Sequence, residues 1–243
     1  MSLPRALSKI GFCSRAKALP LIRDGKVRLN GIVIRNPETR VDLNRDRLEV
    51  DGRTISAAGK IYIMLNKPRA LVVTSSDERG RQTVYDCLRG EKFPWLAPVG
   101  RLDKASEGLL LLTNDNRWAA KILDPEKHLD KTYHVQIDRI PDEDLIRQIR
   151  QGVTTEDGEF LAAKRAVLLR HGPRNGWLEI VLEEGKNRQI RRLLAALGVK
   201  VLRLVRVAIG ALVLGDLDQG TYRHLTPEEV RTLSFSQRSN EIG

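Results

Sequence analysis

An uninterrupted apolar run from Leu109 to Leu112 constrains the fold of this chain more than any other segment. Four apolar residues in succession, without alternation, are typical of a strand that is covered on both faces of a sheet. The loop before this run places one acid, Asp103, between two basic side chains. Loops at the ends of rigid strands commonly hold catalytic groups, and packing requires no acid there. We interpret Asp103 as a candidate catalytic carboxylate, with a structural salt bridge or turn cap as the alternative.

Further elements surround this strand. Asn114 or Asp115 is a suitable N-cap for a following helix that carries Trp118 and Ile122 at helical spacing. Earlier in the chain, an apolar segment from Ile61 ends at a proline, which cannot continue a strand ladder. These elements predict a sheet with helices packed beside it.

The charge of the chain is strongly positive and unevenly distributed. Its 243 residues carry a net charge of +11, and residues 1–60 contain 13 Lys and Arg against 6 Asp and Glu. Phosphate contacts by Lys and Arg supply most of the nonspecific affinity for nucleic acid, so this bias predicts a polyanionic partner. No segment approaches the about 20 apolar residues of a membrane span. Two cysteines far apart, Cys13 and Cys87, favour a reduced, cytoplasmic setting.

The basic N-terminal segment predicts a small separate module. Two short helices, the second capped by Ser14, precede two hairpins that turn at Asn-Gly and Asp-Gly. We expect this module to span residues 1–58 and the larger domain to span residues 61–243, with small residues linking them. The residues that we expect to bind RNA are Arg5, Arg15, Lys26 and Arg28. The turn at residues 11–15 and the helix exit and hairpin arm at residues 22–31 resemble the S4-type RNA-binding domain.

A second cluster of functional residues lies in a predicted helix after residue 185. Ile190, Leu193, Leu194 and Leu197 follow one helical face, and three arginines follow another. Cations in the first half of a helix are disfavoured by its dipole, so an anion should compensate them. Asp103 or RNA phosphate could supply that charge; a solvated helix face is the alternative. The three arginines are Arg188, Arg191 and Arg192.

Taken together, the motifs resemble the pseudouridine synthases that modify ribosomal RNA and carry an S4-type domain at their N-terminus. The matching segments occur in the family's order and are residues 67–68, 100–115, 131–135 and 185–193. The resemblance implies that Asp103 is the catalytic aspartate, that Tyr133 is the active-site tyrosine and that Arg191 pairs with Asp103. Substrate binding is expected of Tyr133 and Arg191 and, in addition, of Arg101, Arg188 and Lys67.

The resemblance implies an α+β fold, in which a small α/β RNA-binding domain precedes a catalytic domain with a mixed, mostly antiparallel sheet flanked by helices. It also implies an isomerase that converts uridine to pseudouridine in ribosomal RNA or a ribosomal precursor particle. Large-subunit RNA is favoured as the target, and small-subunit RNA stays open. The chain has no nucleotide or metal motif, and its four histidines share no ligand spacing, so no cofactor or metal is expected. A monomer and a mobile tail over residues 226–243 are also expected. A non-catalytic ribosome-assembly factor is the main alternative, and a DNA-binding regulator is disfavoured because no recognition-helix motif is present.

Overall fold

The computed structural model describes residues 1–74, 77, 79–127 and 129–235. Within these ranges the α-helices are α1 (Leu3–Lys9), α2 (Arg15–Arg23), α3 (Asn116–Leu123), α4 (Glu143–Gln151), α5 (Gln189–Ala196) and α6 (Pro227–Phe235). The strands of the N-terminal part are β1 (Val27–Leu29), β2 (Ile32–Ile34), β3 (Leu48–Val50) and β4 (Arg53–Ile55). The later strands are β5 (Tyr62–Lys67), β6 (Ala97–Val99), β7 (Glu107–Thr113), β8 (Lys131–Ile137), β9 (Val153–Thr154), β10 (Phe160–Leu161), β11 (Arg165–His171), β12 (Gly176–Leu182), β13 (Val201–Ile209), β14 (Leu212–Val213) and β15 (Tyr222–His224).

The N-terminal elements form a four-stranded sheet in the order β2-β1-β3-β4 with α1 and α2 packed on it. Ser14 caps α2, because its Oγ accepts a hydrogen bond of 3.2 Å from the backbone N–H of Lys17. The first hairpin turns at Asn30 and Gly31, whose φ values of 53° and 82° suit the left-handed turn that joins two twisted strands. The predicted cap and hairpins are therefore confirmed.

The remaining strands build one large sheet and a small hairpin. The order in the large sheet is β11-β12-β8-β13-β7-β5-β15, with β6 and β14 pairing at the sides of β7 and β13, and β9 pairs with β10. All seven residues of β7 are buried, as expected of a central strand. Among the pairs of named strands in the described part of the chain, only β7 with β13 is parallel. The predicted mixed, mostly antiparallel sheet is confirmed.

The sheet opens between β7 and β13, and this opening positions the site. The two strands pair only at Val205 with Glu107 and at Arg206 with Gly108. Farther along, β7 pairs with β6 instead, so β13 diverges from it. The closest approach requires a glycine, since a Cβ on Gly108 would lie 2.3 Å from the carbonyl oxygen of Arg206.

The N-terminal elements contact the larger sheet through backbone hydrogen bonds. The N–H of Trp95 donates to the carbonyl of Gly11 at 2.6 Å, and that of Ala58 donates to Ile10 at 3.2 Å. Asn114, at the end of β7, also holds the connecting segment, because its amide donates to the carbonyl of Gly59 at 2.7 Å. The basic module is thereby joined to the end of the central strand.

The C-terminal segment differs from its prediction. Residues 226–243 were expected to form a mobile tail, yet Pro227–Phe235 form α6. The side chain of Leu233 is buried, and the indole N–H of Trp118 donates to the carbonyl of Val230 at 3.1 Å. The apolar face of α6 packs on α3, and this packing explains why these residues form a helix instead of a mobile tail. The rest of the predicted tail, residues 236–243, lies outside the described residues.

Candidate active site

A cleft of about 840 Å³ lies where β7 and β13 diverge. Four of the predicted substrate-site residues line it, namely Arg101, Asp103, Tyr133 and Arg188. They come from the loop before β7, from β8 and from the residue before α5. The sheet topology therefore brings together residues that are up to 87 positions apart in the sequence.

The loop that carries Asp103 is held by three donors at consecutive carbonyls. The backbone N–H of Ala70 donates to Lys104 at 2.8 Å, and Arg191 Nη2 donates to Ala105 at 3.1 Å. Lys67 Nζ donates to the carbonyl of Ser106 at 2.8 Å. The Ser106 N–H also donates to the Asp103 carbonyl, closing a turn. The backbone around Asp103 is thus fixed independently of its side chain, as a preorganised site requires.

Lys67 lies beneath this loop and does not face the cleft. Its side chain has no exposed surface, and its ammonium group donates to the carbonyls of Pro68 and Ser106. Burial lowers the pKa of Lys67 to about 8, while the negative charges of Glu107 and Asp103 act in the opposite direction. The prediction that Lys67 binds substrate is not matched by this placement, because the Asp103 loop covers the ammonium group.

Asp103 makes its direct ion pair with Arg188. The distance from Arg188 Nη1 to Asp103 Oδ2 is 3.4 Å, and both side chains are partly exposed. Arg188 precedes α5 and adopts a left-handed conformation with φ of 49°, which is unusual for a residue other than glycine. This backbone strain directs the guanidinium toward the acid, and strained residues of this kind cluster at functional sites.

Arg191, expected to pair with Asp103, instead lies behind the loop. Burial lowers the pKa of Arg191, and the neighbouring charges of Arg188 and Arg69 lower it further, whereas Asp103 raises it. Its Nε is buried and has no hydrogen-bond partner among the residues that the structure describes. The hydrogen bond to the Ala105 carbonyl gives Arg191 a positioning contact with the loop, while the acid itself contacts Arg188.

Arg192 contacts neither Asp103 nor its loop but two other acids. Its guanidinium contacts Asp157 at 2.6 Å and Glu159 at 2.5 Å, and these acids raise the pKa of Arg192. Both acids belong to the hairpin formed by β9 and β10, which also presents Phe160 at the cleft. Phe160 is 57% exposed although it is large and aromatic. The hairpin is therefore anchored to α5 and carries an unprotected ring at the rim of the site.

Tyr133 and Arg101 both line the cleft. Tyr133 is half-buried on β8, where it packs against two of the apolar clusters that form the core and pairs across the sheet with Arg206. Its ring is thus held in place while one side borders the cleft. Arg101 is exposed at the cleft entrance, where it can reach a phosphate group.

The predicted RNA-binding residues of the N-terminal module are all exposed. The guanidinium of Arg28 contacts only the carbonyl of Gly31 among the hydrogen bonds of the described residues. None of the four lines the cleft. We refer to Arg5, Arg15, Lys26 and Arg28 as the N-terminal basic residues.

Comparison with known proteins assigns the chain to a family. A family model described as RNA pseudouridylate synthase matches residues 61–196, and one described as S4 domain matches residues 1–46. The chain belongs to the RNA pseudouridylate synthase family. It is 36% identical over 233 residues to "Ribosomal large subunit pseudouridine synthase B" of Bacillus subtilis, covering 95% of this chain and 94% of that protein.

Further relatives agree with this family. An "Uncharacterized RNA pseudouridine synthase" of Aquifex aeolicus is 38% identical, covering 93% of this chain and 91% of that protein. A solved structure titled "Crystal structure of pseudouridylate synthase" superposes with a TM-score of 0.67 at 29% identity, covering 96% and 99% of the two chains. The protein is an isomerase of the pseudouridine synthase family with an S4 domain at its N-terminus.

Lys131, Phe160 and Arg206 line the cleft and are among the residues that the sequence analysis did not predict as site residues. Phe160 looks like an ordinary strand residue, and only its exposure singles it out. Lys131 and Arg206 are 75 residues apart in the sequence but lie on the adjacent strands β8 and β13, where Lys131 pairs with Ile209 and Arg206 with Tyr133. Their proximity depends on the order of the strands in the sheet. No helix of the described part of the chain is long and apolar enough to cross a membrane. That part also contains no cluster of three or more His, Cys, Asp or Glu that could hold a metal ion.

Proposed function

We propose that this protein isomerises a uridine of large-subunit ribosomal RNA to pseudouridine, with Asp103 as its catalytic carboxylate. One observation carries the proposal: the backbone of the Asp103 loop is held at three successive carbonyls while its carboxylate stays accessible in the cleft. A carboxylate that served packing alone would not need an accessible position on a clamped loop.

The reaction uses groups that the cleft supplies. The bond between ribose C1′ and uracil N1 breaks, the base turns, and C5 bonds to C1′ while its hydrogen leaves as a proton. Asp103 acts at the sugar, either as a nucleophile on C1′ or as a base. Tyr133 stacks on the uracil, and Arg101 and Arg188 contact phosphate groups of the extruded nucleotide. Arg191 maintains the Asp103 loop through the Ala105 carbonyl.

The large subunit is favoured as the source of the target because the Bacillus subtilis relative bears that function in its name. The N-terminal basic residues would add phosphate contacts outside the cleft. We infer that the module spans residues 1–58 and the catalytic domain residues 61–243. We further propose a monomer that acts in the cytoplasm on ribosomal RNA or a precursor particle. Gel filtration with light scattering tests the monomer, and a mass near 27.4 kDa is expected.

Mapping of pseudouridines in ribosomal RNA from cells with and without the gene tests the target. Loss of one site in large-subunit RNA is expected. Restoration of that site by the wild-type gene but not by Asp103→Asn ties the activity to the carboxylate. A lost site confined to small-subunit RNA would overturn the choice of subunit.

Purified variants test the catalytic role directly. Asp103→Asn keeps the shape of the side chain, so it should fold and bind RNA, while the rate falls by at least about 10³-fold. Asp138→Asn is the matched control, because this exposed aspartate lies outside the cleft and Asn retains its acceptor for the Lys200 N–H. Full activity of Asp103→Asn would assign the catalytic role to another group. A wild type that binds RNA but forms no pseudouridine would instead favour the non-catalytic RNA-binding alternative.

A further inference from the structure

Arg206 is a buried cation at the floor of the cleft. It lies on β13 between Gly108 of β7 and Tyr133 of β8, and only 6% of its surface is exposed. Its Nε donates to the Leu109 carbonyl at 2.8 Å. Its Nη2 is buried and has no hydrogen-bond partner among the residues that the structure describes.

This arrangement lowers the stability of the fold, so stability does not explain why it is present. A buried donor of a charged group without an acceptor loses its hydrogen bonds to water and gains none in return, and such groups in native proteins call for an explanation. A second cation, Lys131, lines the same cleft, and burial together with the charge of Arg206 lowers the pKa of Lys131. The cleft floor therefore concentrates positive charge around an unused donor, which is the environment that a negatively charged group would need.

We propose that Arg206 is a catalytic residue that stabilises the negative charge of the departing uracil. The inference rests on the function proposed above. When the C1′–N1 bond breaks, both electrons of the bond leave with the base, whether Asp103 bonds to C1′ or removes a proton from the sugar. The uracil is then an anion with its charge shared among N1, O2 and O4. A donor that is already oriented in a water-poor site stabilises such charge without reorganisation.

The sheet register supports this assignment. Arg206 pairs across the sheet with Tyr133, on which the uracil is proposed to stack. The Leu109 hydrogen bond holds the guanidinium in place through Nε, so that its two Nη groups keep a fixed position. After cleavage the same contact holds the free base while it turns and presents C5 to C1′.

Two substrates separate this role from a purely structural one. Fluorine at C5 withdraws electrons and makes uracil a better leaving group, so 5-fluorouridine needs less help from a cation. Wild type, Arg206→Gln and Arg206→Lys are compared in single turnovers on the same RNA with uridine or 5-fluorouridine at the target position. Loss of the original nucleoside, measured by liquid chromatography after nuclease digestion, reports C1′–N1 cleavage for both substrates.

The expected result is a selective loss. R206Q should slow cleavage at uridine by about 10²-fold, as removal of one preorganised donor does elsewhere, and slow 5-fluorouridine cleavage by less than about tenfold. RNA affinity should stay within about twofold of wild type, since the contact forms mainly in the transition state. Arg165→Gln, which removes an exposed cation from β11 outside the cleft, should leave both rates unchanged.

Equal losses on the two substrates, or an unimpaired rate, would overturn the proposal and leave Arg206 as a support for the β7–β13 junction. If R206Q does not fold, R206K is used instead, because lysine keeps the positive charge but not the planar guanidinium donors. A larger loss of rate with uridine than with 5-fluorouridine would then support the role, and equal losses would refute it. Two other outcomes would refute the proposed function itself and not this inference alone. One is a wild type that forms no pseudouridine, and the other is an Asp103→Asn variant that is as active as an active wild type.

Discussion

Lys67→Met tests whether a buried ammonium group holds the Asp103 loop. The lysine side chain is completely buried, and its Nζ donates to two loop carbonyls at 2.8 and 3.0 Å. The pKa of Lys67 is about 8 in the folded protein, against an ordinary value of 10.5. Methionine has a similar volume and no charge, so the exchange removes the titration while it retains most of the packing.

The pKa of Lys67 determines the sign and size of the effect. Below about pH 8 the lysine is protonated in both the folded and the unfolded chain, and the folded chain bears the full cost of the buried charge. Between about pH 8 and about pH 10.5 the unfolded chain binds more protons, so the free energy of unfolding rises with pH. From the two pKa values, the lysine should stabilise wild type by about 2 kcal/mol more at pH 9.5 than at pH 7.

The measurement is urea unfolding of wild type and K67M at several pH values in that range. The difference in free energy of unfolding between them should shift by this amount in favour of wild type as pH rises, because other titrating groups cancel. Exposed Lys92→Met is the control for the exchange of a surface lysine for methionine. A pH-independent difference for K67M would refute the argument. We also expect K67M to lose activity, since the Ser106 carbonyl loses its donor.

Three more predictions address the strand junction, the RNA contacts and the rim. Gly108→Ala should destabilise the protein by about 3 kcal/mol or more, because its Cβ would meet the Arg206 carbonyl. Gly220→Ala also has a positive φ but no atom within 4 Å, so denaturation of both variants separates the clash from backbone strain. Substitution of all four N-terminal basic residues by Gln should reduce the slope of log affinity against log salt by roughly 3, at about 0.7 for each phosphate contact on single strands; an unchanged slope in a filter-binding titration would mean that they do not touch phosphate. Phe160→Ala should lower kcat/KM by about tenfold if the ring stacks on a base, without a change in Tm. A lower Tm with unchanged kcat/KM would instead identify a packing residue.

Local signals in the sequence predicted local structure. The turns at Asn30-Gly31 and Asp51-Gly52 and the cap at Ser14 depend on residues within four positions of one another, and all three form as expected. The burial of β7 was likewise predictable, because a continuous apolar run has few alternatives. The C-terminal helix was not, since its order comes from packing on α3, which no pattern within α6 specifies.

The partners of the arginines were predicted less well, for a geometrical reason. Helical spacing places Arg188, Arg191 and Arg192 on one face and suggests a shared anion. Because Arg188 lies before α5 in a left-handed conformation, its side chain leaves that face and reaches Asp103. The resemblance to the family drew attention to Arg191, yet spacing alone could not distinguish a contact with the acid from a contact with the loop that carries it.

The division of labour among these arginines bears on how Asp103 becomes available to a substrate. Its ion pair with Arg188 is 3.4 Å long and partly exposed, and pairs of this kind contribute about 1 kcal/mol or less. A phosphate that enters the cleft can therefore draw Arg188 away at little cost. The loop itself would not move, because Arg191 and Lys67 hold the Ala105 and Ser106 carbonyls from the buried side. Because different cations hold the backbone and the carboxylate, Arg191 and Lys67 can keep the loop rigid while Arg188 moves away from Asp103. The opening between β7 and β13 gives all three cations access to the same loop.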